Sequence, residues 1–244
     1  GKRLEALGAK QLRYIGNLKY DAPALPCDNH AMDMLRSMLS GRRVWLAAST
    51  HPGEEQIIAQ AHQQLKQRYP ELLTLIVPRH AIRGKALAEA LASPSCQVAL
   101  RSRQETIHAG TDLYIADTMG ELGLFYRLAP VVFIGGSLVN HGGQNPLEPA
   151  RLESALLAGP FTHNFRDIME ELESNHACLR VYDAVSLATA LERLMADTET
   201  SLAMANAALA VASAKGNIIE GYITALVKCC VQQRSPYTPQ HKAV

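Results

Sequence analysis

The chain has 244 residues, 48% of them hydrophobic and 19% charged, with 24 Lys and Arg against 23 Asp and Glu for a formal charge of +1. Domains run at roughly 100 to 200 residues, so this length supplies one large or two small domains and ample apolar material for a core. The near-neutral balance excludes a basic nucleic-acid clamp and an acidic disordered chain, and a ligand must therefore be recognised by a local site.

Short apolar runs rich in β-branched residues alternate with segments of helical period, the rhythm of βαβ units and a parallel sheet. Strands are predicted at 12–15, 44–48, 72–77, 97–100, 112–116, 131–134, 154–157 and 179–181. Between them, 54–69 keeps Ile57, Ile58, Ala61 and Leu65 on one helical face, and 185–195 does the same with Ala188, Leu191 and Leu194. The last third is helical: an Ala-rich stretch at 201–214, a break at Gly216-Asn217, then 218–233 with Ile219, Tyr222, Ile223, Leu226 and Val227 at helical spacing. The tail 235–244 is polar, carries two prolines and is expected to fray. The fold class is α/β, a Rossmann-like doubly wound parallel sheet. Its expected parts are a linker and first strand at 1–25, the main domain at 26–216, a C-terminal helix at 217–234 and the tail.

Five cysteines (Cys27, Cys96, Cys178, Cys229 and Cys230) without a CxxC pair argue against a disulfide framework or a structural zinc site and fit a reducing compartment. The nine histidines include no HExxH. The uncharged run 129–147 is broken by glycines, prolines and asparagines that would leave backbone unsatisfied in lipid, so it reads as a strand and a loop. Gly1 is followed by KRLEAL, which is not a signal-peptide pattern, and the expectation is a piece of a longer chain.

In open parallel sheets, ligands sit at the carboxyl ends of the strands, where loops and helix N-termini present backbone NH groups. Four such loops are unusual. Ser49-Thr50-His51-Pro52-Gly53-Glu54-Glu55 reads either as an anion seat or as an ordinary helix cap with the two Glu residues on the helix dipole. Pro78-Arg79-His80, with Arg83 a turn later, places a guanidinium fork at the rim, suited to phosphate or carboxylate. In Asp117-Thr118-Met119-Gly120-Glu121, Asp117 or Thr118 can cap a helix and Gly120 allows close backbone approach. The fourth loop runs from Gly135-Gly136-Ser137 through Asn140, His141, Gly142, Gly143 and Gln144 to Asn145-Pro146-Leu147-Glu148. Asn145 is its expected cap, amides at 142–145 its phosphate donors, and Glu148 an acceptor for ribose hydroxyls. GxGxxG, GxxxxGK[ST] and GxSxG are absent, which disfavours a nicotinamide dehydrogenase, a P-loop NTPase and the common α/β-hydrolases.

GNLKYD at 16–21, ASTHPGEE at 48–55, VPRHAIR at 77–83, DTMGEL at 117–122, FIGGSLVNHGGQNPLEPA at 133–150 and GPFTHNFRDI at 159–168 together resemble the 3-deoxy-D-manno-octulosonic acid (Kdo) transferases of lipopolysaccharide synthesis. The resemblance implies the C-terminal half of a GT-B glycosyltransferase, a domain that binds the donor CMP-Kdo. The whole enzyme would then transfer Kdo to a lipid A precursor at the cytoplasmic face of the bacterial inner membrane. The family's N-terminal domain, with its membrane anchor, acceptor site and general-base Glu, would lie outside this soluble chain, which alone would not be a competent catalyst. The last helix would pack toward that domain.

Residue by residue, the family's CMP-contacting Pro-Arg falls on Pro78 and Arg79. Its Met-Gly-Glu falls on Met119, Gly120 and Glu121, and its Asn-Pro-x-Glu on Asn145, Pro146, Leu147 and Glu148. Backbone around 119–121 would read cytosine and Glu148 the ribose. Asn145 with the Gly142 and Gly143 amides would hold the phosphate. Ser49, Thr50 and His51 are candidate contacts to phosphate or to the Kdo carboxylate, and Lys19 a candidate charge stabiliser. No cofactor and no metal are implied, and no nucleic-acid partner. A non-catalytic nucleotide-binding module and the donor domain of a GT-B enzyme using a UDP- or GDP-sugar are the alternative readings.

Overall fold

The structure is a computed structural model and describes residues 2–10, 12–214 and 216–232. The tail 235–244 lies outside the described residues. The chain divides into two compact units, Gly1–Pro23 with Lys215–Val244, and Ala24–Ala214.

The smaller unit opens with helix α1 (Lys2–Ala6) and a 3-10 turn at Leu18–Asp21, where Asn17 Oδ1 accepts the Lys19 amide at 3.1 Å. The strand expected at 12–15 does not form. An apolar run becomes a strand only when a neighbour completes its ladder, and here the run meets a helix instead. Ile15 closes on Gly221, where a Cβ would come within 2.6 Å of it, and the Gly16 carbonyl accepts the Tyr222 hydroxyl at 3.0 Å. The helix concerned is the C-terminal one, Ile218–Gln232, and its Ile219, Ile223, Leu226 and Val227 are exposed.

The larger unit contains, in chain order, α2 (Asn29–Met38), β1 (Arg43–Thr50), α3 (Glu54–Lys66), β2 (Leu72–Pro78), α4 (Gly84–Leu91), β3 (Val98–Leu100), β4 (Leu113–Ile115) and α5 (Leu122–Leu128). There follow β5 (Val131–Ile134), α6 (Leu147–Ala150), β6 (Ala155–Ala158), α7 (Arg166–Ser174), β7 (Cys178–Arg180), α8 (Ala184–Ala196) and α9 (Thr198–Ser213). The other seven expected strands are all present with ends within two residues of expectation. They make one parallel sheet in the order β3-β4-β2-β1-β5-β6-β7.

Side chains alternate across the sheet with period two, and both faces are covered, which is why the strands read as continuous apolar runs. Trp45, Ala47, Leu72, Ile76, Val131, Phe133 and Leu157 face α3, α4 and α8. The opposite face, with Leu46, Leu75, Tyr114, Val132 and Leu156, lies under α2, α5, α6 and α9. An 18-residue window within Thr198–Cys230 has a membrane-like mean hydropathy of 1.3. Its first helix, α9, buries Met204, Ala205, Ala208 and Val211 within the larger unit, and that packing accounts for its apolar content.

At the amino ends of the strands a polar network holds the sheet together. The Arg42 guanidinium donates to the carbonyls of Glu71 (2.7 Å), Leu72 (2.9 Å), His108 (2.8 Å) and Thr111 (2.6 Å). Beside it, buried His62 bonds Thr74 Oγ1 through Nδ1 at 2.9 Å and lies 3.5 Å from Asp112, which pairs with Lys66. Burial holds the His62 imidazole down at about 4, against the pull of Asp112. The native state therefore keeps this ring neutral where the unfolded chain, at about 6.5, takes up a proton. Its contribution is complete above pH 6.5 and is lost as pH falls toward 4, up to about 3 kcal/mol in all. Urea midpoints at pH 7 and pH 5 are expected to differ accordingly, and His62→Gln to flatten that difference.

Candidate functional site

The chain leaves β1 through α3 on one face of the sheet and leaves β5, the adjacent strand, through α6 on the other. The carboxyl ends of β1 and β5 therefore open a crevice between diverging loops, the place where open α/β sheets bind ligands. The backbone is shaped for it. β1 ends in a register shift between Ala48 and Thr50, with Ser49 held at φ +56, a left-handed conformation costly for a residue with a Cβ. Gly135 passes so close that a Cβ there would lie 2.3 Å from the Ser49 carbonyl oxygen, and Gly159 approaches the Ser137 carbonyl in the same way at 2.2 Å. Only glycine fits at either crossing.

Glu54 is the hub of the crevice. It is fully buried, and its two carboxylate oxygens accept the amides of His51 (2.8 Å), Gly136 (2.7 Å), Ser137 (3.0 Å) and Leu138 (2.9 Å). Four N–H donors converge on one acid, an arrangement that suits the ionised, acceptor-only form. Burial nonetheless raises the Glu54 carboxyl above the usual range, with the amides opposing it. Glu55, equally buried, accepts the Thr50 hydroxyl at 2.9 Å and pairs with Arg83 at 2.8 Å. Both acids thus cross-link loops, and the helix-cap reading of this segment is corrected: the N-cap is Gly53 at φ +98, with no side-chain cap bond.

Above the hub lies a basic cluster. His51 stacks on His141 with ring centroids 4.1 Å apart and meets His80 edge-on at 6.3 Å. Burial first, then His141, His80, Arg79 and Arg83, push the His51 imidazole below the usual histidine range. The Arg79 amide donates to the Thr50 carbonyl at 2.9 Å, lacing the loop after β2, which buried Pro78 closes, to that after β1. The Arg79 side chain is exposed and makes no ion pair among the described residues. Apart from Arg83, which Glu55 neutralises, the positive or protonatable groups of this rim make no ion pair among the described residues, the electrostatic signature of an anion site.

The turn after β4 is pinned from outside. Asp117 accepts the Ser102 amide at 2.9 Å and its hydroxyl at 2.8 Å, and fits against Gly84, where a Cβ would lie 2.2 Å from its Oδ2. Glu121 takes the Arg101 guanidinium at 2.7 and 3.2 Å and the Thr118 hydroxyl. Hydrogen bonds from Arg101 hold the Glu121 carboxyl below its ordinary range. The expectation that Asp117 or Thr118 caps a helix is corrected, because α5 starts at Leu122 with Glu121 at its N-cap position. These anchors leave Met119 and Gly120, the latter at φ +84, exposed at the tip.

In the loop after β5 the expected cap is corrected by one residue, since α6 starts at Leu147 with Pro146 at its N-cap position; Asn145, just before it, accepts the Leu147 amide through Oδ1 at 3.2 Å and donates from Nδ2 to Glu148 at 3.0 Å. Asn145 therefore positions Glu148. The reading of 142–145 as a run of available amides is corrected: Gly143 N–H donates to the Gly136 carbonyl at 2.9 Å and Gln144 N–H to that of Gly135 at 3.1 Å. A loop this rich in glycine folds on itself to satisfy its own backbone. Gly142 at φ +88 serves close packing, since a Cβ would come within 2.4 Å of Asn164.

The structure thus brings Ser49, Thr50, His51, Pro78, Arg79, Gly142, Gly143 and Asn145 to Glu148 to the carboxyl end of one sheet, with Met119 to Glu121 on the next strand exit. Lys19 lies in the smaller unit. Sequence reasoning did not single out His80, His141 or Gln144 as a cluster with His51, nor Glu54 as the hub, because both depend on β5 lying beside β1. Among the described residues, no group of three or more His, Cys, Asp or Glu has metal-holding geometry.

A seven-stranded parallel sheet with its loops gathered at a β1/β5 crevice is the C-terminal Rossmann-like domain of a GT-B glycosyltransferase. No family model matches the chain. It is 38% identical over 211 residues to the 3-deoxy-D-manno-octulosonic acid transferase of Haemophilus influenzae, covering 85% of this chain and 49% of that protein. Superposition on the C-terminal CMP-Kdo binding domain of WaaA from Acinetobacter baumannii gives a TM-score of 0.69 at 34% identity, over 75% of this chain and 96% of that one. Anabaena HepE in complex with UDP-glucose shares the fold alone, with a TM-score of 0.54 at 14% identity over 86% of this chain and 54% of that one. The chain belongs to the Kdo transferase family and corresponds to its C-terminal domain. It spans about half the length of the curated relatives it matches.

Proposed function

We propose that this chain is the donor-binding domain of a Kdo transferase and holds CMP-Kdo in the crevice between β1 and β5. The observation that carries this is the basic rim of Arg79, His51, His80 and His141 set against the exposed Met119-Gly120 turn and the Asn145-positioned Glu148. The three parts suit three parts of one ligand. Peptide groups at 119–120 can pair with the edge of a cytosine, Glu148 can accept from ribose hydroxyls, and the basic rim can face the phosphate and the Kdo carboxylate.

The chemistry that follows is transfer of Kdo from CMP to a hydroxyl of a lipid A precursor. The bond from the anomeric carbon to the phosphate oxygen breaks as the acceptor oxygen attacks, and CMP leaves with its negative charge. Fixed cationic and N–H groups at the departing phosphate lower that barrier. In the whole enzyme, acceptor binding, the general base and contact with the inner membrane belong to the portion of the relatives that this chain does not span.

Calorimetric titration tests the reading. CMP is expected to bind saturably and more tightly than UMP, and Arg79→Ala and Glu148→Ala each to weaken it. Equal binding of UMP would instead favour a UDP-sugar enzyme. Arg101→Ala, which removes about 1 kcal/mol or more of hydrogen bonding from Glu121, is expected to weaken CMP roughly fivefold by loosening the Met119-Gly120 turn. Unchanged affinity in that variant would show that the turn holds without it.

A further inference from the structure

His51 carries a hydrogen bond whose direction depends on its protonation. Its Nε2 lies 3.0 Å from Gln144 Nε2. With its proton on Nδ1, a neutral imidazole accepts there from the Gln144 NH2 group. Protonating Nε2 makes it a donor, and the Gln144 amide must then turn over to offer its oxygen. Gln144 is itself fixed by its backbone, its amide donating to the Gly135 carbonyl at 3.1 Å, so the change amounts to a rotation of the side chain in place.

The groups around His51 favour the neutral ring. His141 stacks on it from the loop after β5, His80 meets it from the loop after β2, and Arg79 and Arg83 add positive charge from the same side. On its own loop, Glu54 accepts the His51 backbone amide and Glu55 is paired with Arg83. Neither acid contacts the ring among the described residues. An anion seated on the rim reverses this balance, because it supplies the negative charge that the cluster lacks.

We propose that ligand binding at this rim is coupled to uptake of a proton by His51, with the Gln144 amide turning over to accept from it. The site then carries its full positive charge only when the anion is present, and the imidazolium faces the oxygen that becomes the leaving phosphate. The proton comes from solvent and remains on the ring until the nucleotide departs. This inference rests on the nucleotide-binding reading given above.

The test uses cytidine 5′-(methyl phosphate), a phosphodiester whose single charge is fixed across the range studied, so any proton taken up goes to the protein. Titrations of the intact chain at pH 7 in buffers of different ionisation enthalpy are expected to show uptake of about half a proton or more per ligand, by linkage. The Kd is expected to rise with pH above neutrality, by at most about tenfold per unit. His51→Asn, which keeps a polar side chain but cannot titrate, is expected to reduce the proton count to near zero while still binding. Gln144→Met, which offers no amide oxygen, is expected to lower it. Binding with heats independent of buffer would overturn the coupling and leave the nucleotide reading standing. Uptake undiminished in His51→Asn would also overturn it. No binding of the diester at all would remove the nucleotide reading and the coupling with it.

Discussion

Glu54→Ala is expected to destabilise the larger unit by about 4 kcal/mol, because it strands the amides of His51, Gly136, Ser137 and Leu138, each at about 1 to 3 kcal/mol less whatever water can replace. The loss should be larger than that of a typical point substitution, which centres near 1 kcal/mol. Glu54→Gln keeps the shape and one acceptor oxygen but turns an NH2 group toward the donors, and about half the loss is expected. The single tryptophan, Trp45, is fully buried one face away and reports unfolding by its fluorescence. A urea midpoint for Glu54→Ala close to that of the parent would mean that the glycine loop holds itself. Ligand affinity is expected to fall in both variants, since the same carboxylate places the His51 backbone beneath the rim.

Gly135→Ala is the second large effect. The added methyl would lie 2.3 Å from the Ser49 carbonyl oxygen and 2.6 Å from that of Ala48, and both are backbone atoms that no rotamer change can move. β1 and β5 must separate at the crevice, at a cost of about 3 kcal/mol. The Gly135 amide bond to Ala48 O, 2.8 Å, and the Gln144 bond to Gly135 O would both stretch, so the basic rim shifts with them. Gly8→Ala provides the contrast for crowding, since nothing lies within 4 Å of its Cβ position and only its φ of +92 opposes the change. Equal stability losses at Gly135 and Gly8 would contradict the steric account.

Seven strands were legible, the central ones because each is an apolar run buried on both faces, and 131–134 matches to the residue. The eighth, at 12–15, looked the same locally and failed because strand formation needs a neighbour, which a run of four residues does not specify. Pro78, Arg79, Met119, Asn145 and Glu148 could be read from their place after strands. What could not be read was the wiring. Asn145 and Gly143 looked like ligand donors, yet Asn145 is engaged with Leu147 and Glu148 and Gly143 with Gly136. Glu54 looked like an acid complementing the helix dipole, and its burial against 136–138 depends on a strand order that local sequence does not encode. The His51, His80 and His141 cluster draws on three loops for the same reason.

The central claim is that one ligand spans the strand exits from Arg79 through Met119 to Glu148. Amide chemical-shift mapping of the chain saturated with CMP tests it most directly. The account predicts the largest shifts at Arg79, His51, Met119, Gly120 and 142–148, with little change at the Arg42 and His62 network on the opposite end of the sheet. Shifts confined instead to the cavity of about 400 Å³ lined by Asn175, His176, Leu179, Arg193 and Met204 would contradict it.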